Sequence, residues 1–493
     1  MSDYKYGVHG HIDSTVADGA TEANFAAVYV GTAPVNLIRD YEKKKLVNEP
    51  VLLKNITAKN TIGYSLAWDK FTLSEVISAH FDNAKGNIGP VYVINILDPA
   101  QHKKEQTEEQ SITFVNGEAK IESDTIIIDS FAIEGKVEGT DYELSYSWET
   151  GKLTITSIGE ETLDGKIACT YEEVDTSKVT DAVFQGSKKD GVYKGIHVIE
   201  KLYPFYGIIP QYVAAPGFTE NPANYHALCD LCYQINNHWF GFVYADLPIY
   251  ADEKAVDTFD AAIEYREKNN YFKADSKIYW PQYEVTGKGI YHISTLAVVE
   301  KMRTDMGKPG QHPCGTDGNK PVAGGRQYFG KQSVNGGFDQ EDGNILAAKG
   351  ISTIVAWGGT FRLWGDHTAA YTHEQEDVLD KRVIFDANVI MLNYTLNKFQ
   401  AEYGDKIDDN ITPADIMTIT HNFNEWLASL VTDGALVGEP KVMFLEENNK
   451  TGDMTKGYFV WNVLQTNAPL FKAADCYASY TNAGIKNFFG EEE

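Results

Sequence analysis

Cysteine and long apolar runs are scarce in this chain of 493 residues. The five cysteines are an odd and small number, which argues against a disulfide framework and for reduced thiols. The first residues lack the basic start and apolar run of a signal peptide, and no apolar stretch approaches the ~18 residues that a membrane span needs. The sequence therefore predicts neither export by the usual route nor a membrane segment.

Basic residues are also few. The chain contains 43 Lys and Arg residues and 70 Asp and Glu residues, which gives a net charge of −27. Nucleic acids and anionic membranes select surfaces rich in Lys and Arg. The charge thus argues against both as the main partner. It fits a soluble protein whose copies repel one another until something overcomes that repulsion.

The apolar content of 43% is typical of a globular chain that buries sizeable cores. Apolar runs at 25–31 and 91–97 predict buried strands, and helical spacing from Leu73 to Phe81 predicts a helix between them. Further along the chain, Asn221 followed by Pro222 is the typical start of another helix. We expect a discontinuous α/β domain over residues 23–102 and 181–272.

The segment 103–180 has a different pattern. Short strand-like runs alternate with turn residues, and Thr125 to Ile128 and Leu153 to Thr156 are two of the predicted strands. The pattern indicates an all-β domain inserted into the α/β domain.

A C-terminal α/β core domain is predicted for residues 273–472. One amphipathic helix is expected from Phe385 to Tyr403, with Leu396 on its apolar face. A second is expected from its cap at Thr412 to a stop at Gly434. Strands are predicted at 441–445 and 458–463.

Both chain ends are predicted to be extended arms, residues 1–22 and 473–493, because they are short of core residues. An arm of this kind gains stability by adding a strand to a sheet on another subunit. The side chains predicted to decorate such added strands are Tyr4, Tyr6, Val8, Ile12, Ala478, Tyr480, Ala483 and Ile485.

The sequence contains no complete catalytic motif. Cys229 and Cys232 have the spacing of a zinc or redox pair, but no second ligand pair follows, so packing inside a helix is favoured. The segment Gly325 to Gln332 is close to the sequence motif of a phosphate-binding loop, but Gln332 replaces the Ser or Thr that holds magnesium. A glycine-rich connection is favoured there, and the sequence predicts no catalytic, cofactor-binding or metal-binding residue.

Two consecutive segments of the C-terminal third, Leu346 to Ile354 and Phe361 to Thr368, resemble the contractile tail sheath proteins of bacteriophages. Ala215 to Gly217 together with Ala245 to Pro248 is similar to a further pair of segments in that family. The chain departs from the family pattern at His367, where Arg is usual.

The resemblance implies a mixed α/β sheath-type core with an inserted all-β domain and extended arms. It implies a structural subunit that polymerises with itself as stacked hexameric rings around a tail tube. Contraction then drives the tube through a target cell envelope, without a cofactor. The implied partners are the tail tube, baseplate and tail terminator proteins. The implied place is a virion tail or phage tail-like particle, assembled in the host bacterial cytoplasm.

Two other readings remain open from the residues. One is a cytosolic α/β enzyme with an inserted β domain, its site near Cys229 and Cys232 or in the glycine-rich stretch Gly324–Gly337. The other is a different self-assembling tube or shell protein.

Overall fold

A computed structural model describes residues 24–105, 110–330, 332–333, 337–482 and 484–485 of the chain. The strands of these residues, in chain order, are β1 (Asn24–Gly31), β2 (Pro50–Leu53), β3 (Val91–Asn95), β4 (Gln110–Phe114), β5 (Glu118–Glu122), β6 (Ala132–Ile133), β7 (Tyr142–Ser147), β8 (Lys152–Ser157), β9 (Gly165–Thr170), β10 (Ser187–Lys189), β11 (Val192–Lys194), β12 (Ile208–Ala214), β13 (Phe242–Asp246), β14 (Tyr250–Ala251), β15 (Lys254–Ala255), β16 (Ser276–Tyr279), β17 (Gln282–Val285), β18 (Gly289–Tyr291), β19 (Pro321–Val322), β20 (Gly325–Phe329), β21 (Gln332–Ser333), β22 (Ile351–Trp357), β23 (Thr360–Trp364), β24 (Leu436–Phe444) and β25 (Trp461–Asn467).

The α-helices, again in chain order, are α1 (Ala58–Ile62), α2 (Thr72–Phe81), α3 (Asp181–Gln185), α4 (Leu202–Tyr206), α5 (Pro222–Tyr233), α6 (Phe259–Lys268), α7 (Ile293–Met306), α8 (Gln340–Ala347), α9 (Asp386–Tyr403), α10 (Pro413–Thr432) and α11 (Thr451–Met454). None of the described helices has the length and apolarity that a membrane span requires.

A nine-stranded sheet, ordered β19-β23-β22-β16-β13-β12-β1-β3-β2, forms the centre of the fold. The six strands from β22 to β3 in that order are parallel, and antiparallel strands complete both edges. Parallel strands covered on both faces are apolar throughout. The residues of β3 are mostly buried and those of β13 are entirely buried. Both strands are therefore recognisable in the sequence as continuous apolar runs.

Helices cover both faces of the central sheet. Along β1, Tyr29 belongs to one hydrophobic core, and Val28 and Val30 belong to another, because alternate residues of a strand point to opposite faces. Buried residues of α2 and α7 join the first core, and buried residues of α5 and α6 join the second. The result is the three-layer arrangement expected of an α/β domain.

The chain divides into two compact units, residues 1–416 and 417–493. The boundary predicted between residues 272 and 273 falls inside the central sheet, because β16 and β22 lie in the same sheet as β13. Long parallel sheets hide such boundaries from the sequence, since strands that are adjacent in space are separated by long crossovers.

Strands β4 to β9 form two three-stranded sheets, β4-β9-β6 and β5-β8-β7, with a hydrophobic core of their own. The two ends of the segment lie side by side, because Lys103 and Val174 form an antiparallel bridge and the Asp175 N–H donates to the His102 carbonyl at 2.7 Å. An insertion with adjacent ends leaves the host sheet undisturbed.

The strand predicted from Thr125 to Ile128 is absent. Only Ile126 makes a bridge, to Glu173, and a 3-10 turn begins at Ile128. Ile126 and Ile128 pack in the core of the inserted strands, whereas Ile127 packs in a core of the central sheet. The run is apolar because it joins two cores.

Helix α9 buries only part of the face predicted for it. Leu396 is 43% exposed, whereas Asn393, Thr395 and Asn397 are buried. The Asn397 amide bonds to both the N–H and the C=O of Phe240, at 2.9 and 2.8 Å. Val389 of the predicted face is buried as well, but several buried positions are polar, so apolar periodicity identifies only part of the face.

We expect the inserted segment to be removable. A chain in which Lys104–Glu173 is replaced by a short Gly/Ser linker should fold, because the linker spans ends that already touch. Circular dichroism should retain the helical signal of the host, and the excised segment should give a β spectrum and unfold cooperatively by itself. If the trimmed host and the excised segment are both insoluble or unfolded, the segment is an inseparable part of the host core.

Candidate assembly interface

The arm residues predicted from the sequence fall partly outside the described part of the chain. Tyr4, Tyr6, Val8, Ile12 and Ala483 lie outside it. Ala478, Tyr480 and Ile485 are described and are exposed.

The described C-terminal tail follows β25. Residues 468–482 form no helix or strand. The aromatic side chains Phe471, Tyr477 and Tyr480 are 89%, 90% and 85% exposed. Exposed apolar patches are typical of surfaces that interact with a partner.

Strands β24 and β25 form a two-stranded antiparallel sheet in which Val442 pairs with Val463 and Phe444 with Trp461. A hairpin of two strands is only marginally stable by itself in water. Support comes from α10, whose residues Ile419, Phe423 and Leu427 are buried. The hairpin therefore has a helix to support it, and the described residues add no third strand to it.

The α10 helix contacts the hairpin through polar side chains as well. Trp461 Nε1 donates to Thr420 Oγ1 at 3.1 Å, and the amide of Asn424, one helical turn on, bonds to the backbone of Val442. The helix begins as the sequence predicts, with reciprocal bonds between Thr412 and Asp415.

The other segments considered from the sequence lie in regular elements of the fold. Cys229 and Cys232 are both buried in α5, and burial raises the pKa of each thiol. Gly325 to Phe329 is strand β20, paired with β17, so the expectation of a simple connection there is wrong. The described residues contain no cluster of His, Cys, Asp or Glu that could hold a metal ion.

A buried charged cluster lies on β16, where the Lys277 side chain is fully buried. Its Nζ donates to Asp317 and Asp386, both at 2.8 Å, and to the Gly365 carbonyl at 2.9 Å. Burial alone lowers the pKa of Lys277, but the two carboxylates raise it above its ordinary value, so the lysine is charged. Loss of one partner from such a cluster typically costs about 3–5 kcal/mol.

A second buried cluster lies at the carboxyl ends of the parallel strands. Asp246, the last residue of β13, accepts from the backbone N–H of Ser294 at 3.0 Å and from its hydroxyl at 2.5 Å. Glu75 of α2 accepts from the His292 backbone N–H and pairs with its ring Nδ1, both at 2.8 Å. Two carboxylates therefore hold the start of α7, where backbone N–H groups lack helical partners.

These contacts explain a motif that the sequence offered only as a family resemblance. Asp246 of the Ala245 to Pro248 segment fixes α7, and Gly217 lies close to Thr72 and His292, with a φ of +79° that only glycine adopts freely. His367, the departure from the family pattern, stacks on Tyr371 with ring centroids 3.4 Å apart. Its place is structural.

We expect Cys229 and Cys232 to be dispensable. The double substitution to Ala removes two buried thiols and should lower the free energy of unfolding by about 1–3 kcal/mol through the small cavities left behind. Assembly should be unchanged when it is followed by negative-stain electron microscopy. Stoichiometric zinc in the wild-type protein, lost together with folding in the double variant, would show that the pair holds a metal.

The Asp246 cluster predicts a pH dependence of stability. Burial raises the pKa of Asp246 from 3.8 to about 7, despite the opposing charge of His292, so its contribution is full below pH ~4 and is lost as the pH rises to about 7. Burial alone lowers the pKa of His292, but Glu75 and Glu220 raise it well above 6.5, and its contribution is likewise lost at high pH.

Asp246→Asn cannot ionise. It should therefore flatten the fall in the free energy of unfolding between about pH 4 and about pH 7, measured by urea unfolding at each pH. Asp69→Asn, at an exposed carboxylate, is the control and should keep the wild-type slope. An unchanged slope in Asp246→Asn would mean that Asp246 is ionised throughout this range.

Comparisons with known proteins place these features in context. No protein family model matches the chain. A tail sheath protein of Burkholderia phage BcepMu is 25% identical over 461 residues, which cover 89% of each chain.

Two solved structures share the fold. A chain of the anti-feeding prophage baseplate matches with a TM-score of 0.52 at 13% identity, covering 97% of this chain and 99% of its own. The sheath complex of the extracellular contractile injection system PVC, in its contracted state, matches with a TM-score of 0.53 at 11% identity, covering 98% and 100%. The chain is thus similar in sequence to a tail sheath protein and in fold to a chain of a contractile injection system sheath complex, as its motifs predict.

Proposed function

We propose that this chain is a structural subunit of a contractile tail sheath, and that neighbouring subunits are linked by strands added to the β24–β25 sheet. One observation supports the linkage above others: among the described residues, a sheet of only two strands and an exposed, extended tail occur in the same unit. The outer strand and the extended tail each have backbone N–H and C=O groups that need hydrogen-bond partners. Addition of the tail as a strand would provide partners for both.

The proposed assembly consists of hexameric rings stacked around a tail tube, with tube, baseplate and tail terminator proteins as partners. Repeating rings need a link that tolerates a change in packing between subunits. Main-chain hydrogen bonds provide such a link, because they hold a strand in place with little demand on side chains.

Contraction in this proposal requires no nucleotide or cofactor. A polymer with two packings stores free energy when it assembles in the less stable one and releases it on reaching the other. The buried clusters around Lys277 and Asp246 suit this role, since they hold each subunit together while contacts between subunits change. The chain would then act in a virion tail or phage tail-like particle, assembled in the host bacterial cytoplasm.

We further propose that the inserted strands face outward and keep free subunits apart. Residues 103–180 contain 18 acidic and 7 basic residues, a large share of the net charge of −27. Like charge of this density opposes association at low ionic strength and is screened beyond about 8 Å at physiological salt. Assembly should therefore be favoured by salt.

An enzyme with a site at Cys229 and Cys232 has little to support it. Thiols act as nucleophiles and ligands in their ionised form, and burial raises both pKa values. We therefore propose a structural role without catalysis.

A chain ending at Lys472 tests the linkage. It keeps the hairpin and every strand of the central sheet but lacks residues 473–493, with the exposed Tyr477 and Tyr480, so it should fold by circular dichroism and remain monomeric in sedimentation. The full-length chain should form rings or tubes at the same salt concentration.

The matched control is a chain ending at Gly490, which lacks only the acidic residues Glu491, Glu492 and Glu493 and should assemble like the full-length chain. If the chain ending at Lys472 polymerises as readily as the full-length chain, the C-terminal arm is not the link.

A further inference from the structure

A surface groove of about 370 Å³, here called the α7 groove, lies beside α7 in the unit 1–416. Its apolar lining includes Leu296 and Val299 on α7, Val285 at the end of β17 and Val322 on β19. Leu296 and Val299 are three residues apart on the helix, so both face the same groove. Cavities of this size with an apolar lining are typical of sites that take up an apolar group.

Two ion pairs border the α7 groove. Lys85 Nζ lies 2.5 Å from Glu300 Oε2 and also donates to the Pro321 carbonyl at 2.6 Å. Lys288 Nζ lies 2.8 Å from Asp82 Oδ2. The charges of the lining residues therefore balance, and any excess of charge near the groove belongs to residues next to the lining.

That excess is positive. Lys320 directly precedes β19, and Arg362 lies on β23, the strand paired with β19. Among the described residues, no carboxylate forms an ion pair with Lys320, Arg362 or the exposed Lys308. Burial lowers the pKa of Lys320, and the nearby charges of Lys308 and Arg362 lower it further, against Asp317 and Glu300. Cations that repel one another in this way favour a carboxylate partner.

The loop around these cations is poor in acidic residues for so acidic a chain. Residues 307–338 contain four Lys and Arg residues and a single acidic residue, Asp317. Asp317 is buried and accepts from Lys277. A negatively charged partner therefore meets little repulsion on this side of the groove.

A complementary segment lies elsewhere in the same unit. Residues 374–380 contain no Lys or Arg and four carboxylates, those of Glu374, Glu376, Asp377 and Asp380. Within them is the Val378 turn, residues 376–380. Among the described residues of the unit 1–416, Val378 is the most exposed large apolar side chain, at 85%. An apolar side chain that protrudes between carboxylates matches an apolar groove bordered by cations.

The carboxylate next to Val378 is available for such a contact. The other three carboxylates of the segment pair with side chains of the same chain, those of Lys349, His373 and Arg382. No described residue forms an ion pair or a side-chain hydrogen bond with Asp377. Asp377 and Val378 are thus exposed side by side.

Ile407 is the nearest rival, because it is 76% exposed and also lies among aspartates. The residue before it is Lys406, whose charge opposes the cations beside the groove, whereas the residue before Val378 is Asp377. Charge therefore favours Val378 as the occupant.

We propose that the Val378 turn of one copy docks in the α7 groove of a second copy, with Asp377 towards Lys320. The inference rests on the proposed function and adds to it a side-chain contact between subunits. The two surfaces differ, so the contact joins copies head to tail. Contacts of this kind close into rings or continue as helical filaments, and rings are the assembly proposed above.

Cysteine cross-linking tests the docking in assembled full-length protein. The background is Cys314→Ser with Cys476→Ser, because the other three cysteines are buried. Ala84→Cys places a thiol in the lining of the α7 groove, and Val378→Cys places one on the turn. After treatment with a short bismaleimide, the double variant should give a ladder of cross-linked subunits on denaturing gels, because each copy carries both partners of the contact.

Co-assembly of the two single variants should give cross-linked dimers and no longer products, because each copy then has one accessible thiol. Ala100→Cys, an exposed alanine outside the groove, is the matched control and should give only background with Val378→Cys. An equal ladder from Ala100→Cys, or a cross-link confined to single chains, would overturn the docking. An Ile407→Cys thiol that cross-links to Ala84→Cys in place of Val378→Cys would overturn the proposed occupant.

A charge exchange tests the contact between Asp377 and Lys320. Asp377→Lys and Lys320→Glu should each raise the protein concentration at half-maximal assembly about tenfold in sedimentation, because each brings like charges together. Both reversals in one chain restore opposite charges and should return the concentration towards the wild-type value. Asp377→Lys also makes the chain less negative, so an effect of net charge alone would favour assembly instead.

Lys166→Glu, at an exposed lysine of the inserted strands, controls for the change in net charge and should assemble like the wild type. If the double reversal, folded by circular dichroism, assembles no better than the worse single reversal, Asp377 does not face Lys320. If the wild type forms rings or tubes and the double-cysteine variant gives no ladder, the docking is wrong and the proposed function stands. If the wild type forms neither, the proposed function fails and the docking fails with it.

Discussion

Backbone hydrogen bonding between strands is the constraint on which this structure depends. The six parallel strands of the central sheet satisfy one another, and antiparallel strands complete the edges, so that both faces can be buried under helices. A buried N–H or C=O without a partner costs free energy comparable to a lost hydrogen bond, so a sheet of this size must be finished within the chain. The β24–β25 sheet has only two strands among the described residues.

Asparagine side chains repeatedly complete the backbone bonding where strands do not. Asn397, Asn424 and Asn449 each bond to both the N–H and the C=O of one residue at a strand or next to one. The amide matches a peptide group in donors and acceptors, so it can close an edge without adding a strand.

The buried charges give the subunit rigidity of another kind. Lys277 ties β16 to α9 through Asp386, and Asp246 with Glu75 ties the start of α7 to β13 and α2. Each cluster joins segments that are far apart in the chain, and each would leave an uncompensated buried charge if a partner were lost. Clusters of this kind keep β16, α9, α7, β13 and α2 in fixed positions relative to one another.

The sequence by itself determined the features that depend on local pattern: the apolar runs of β1, β3 and β13, the Asn221 and Thr412 helix starts, and the motifs shared with tail sheath proteins. It did not reveal the isoleucine run at 126–128 as a joint between cores, the exposure of Leu396, or the pairing of Asn424 with Val442. Those features depend on which distant segments meet. From the sequence, a polar residue is assigned to the surface. Only the tertiary structure shows whether it lies against a backbone group that needs a hydrogen-bond partner.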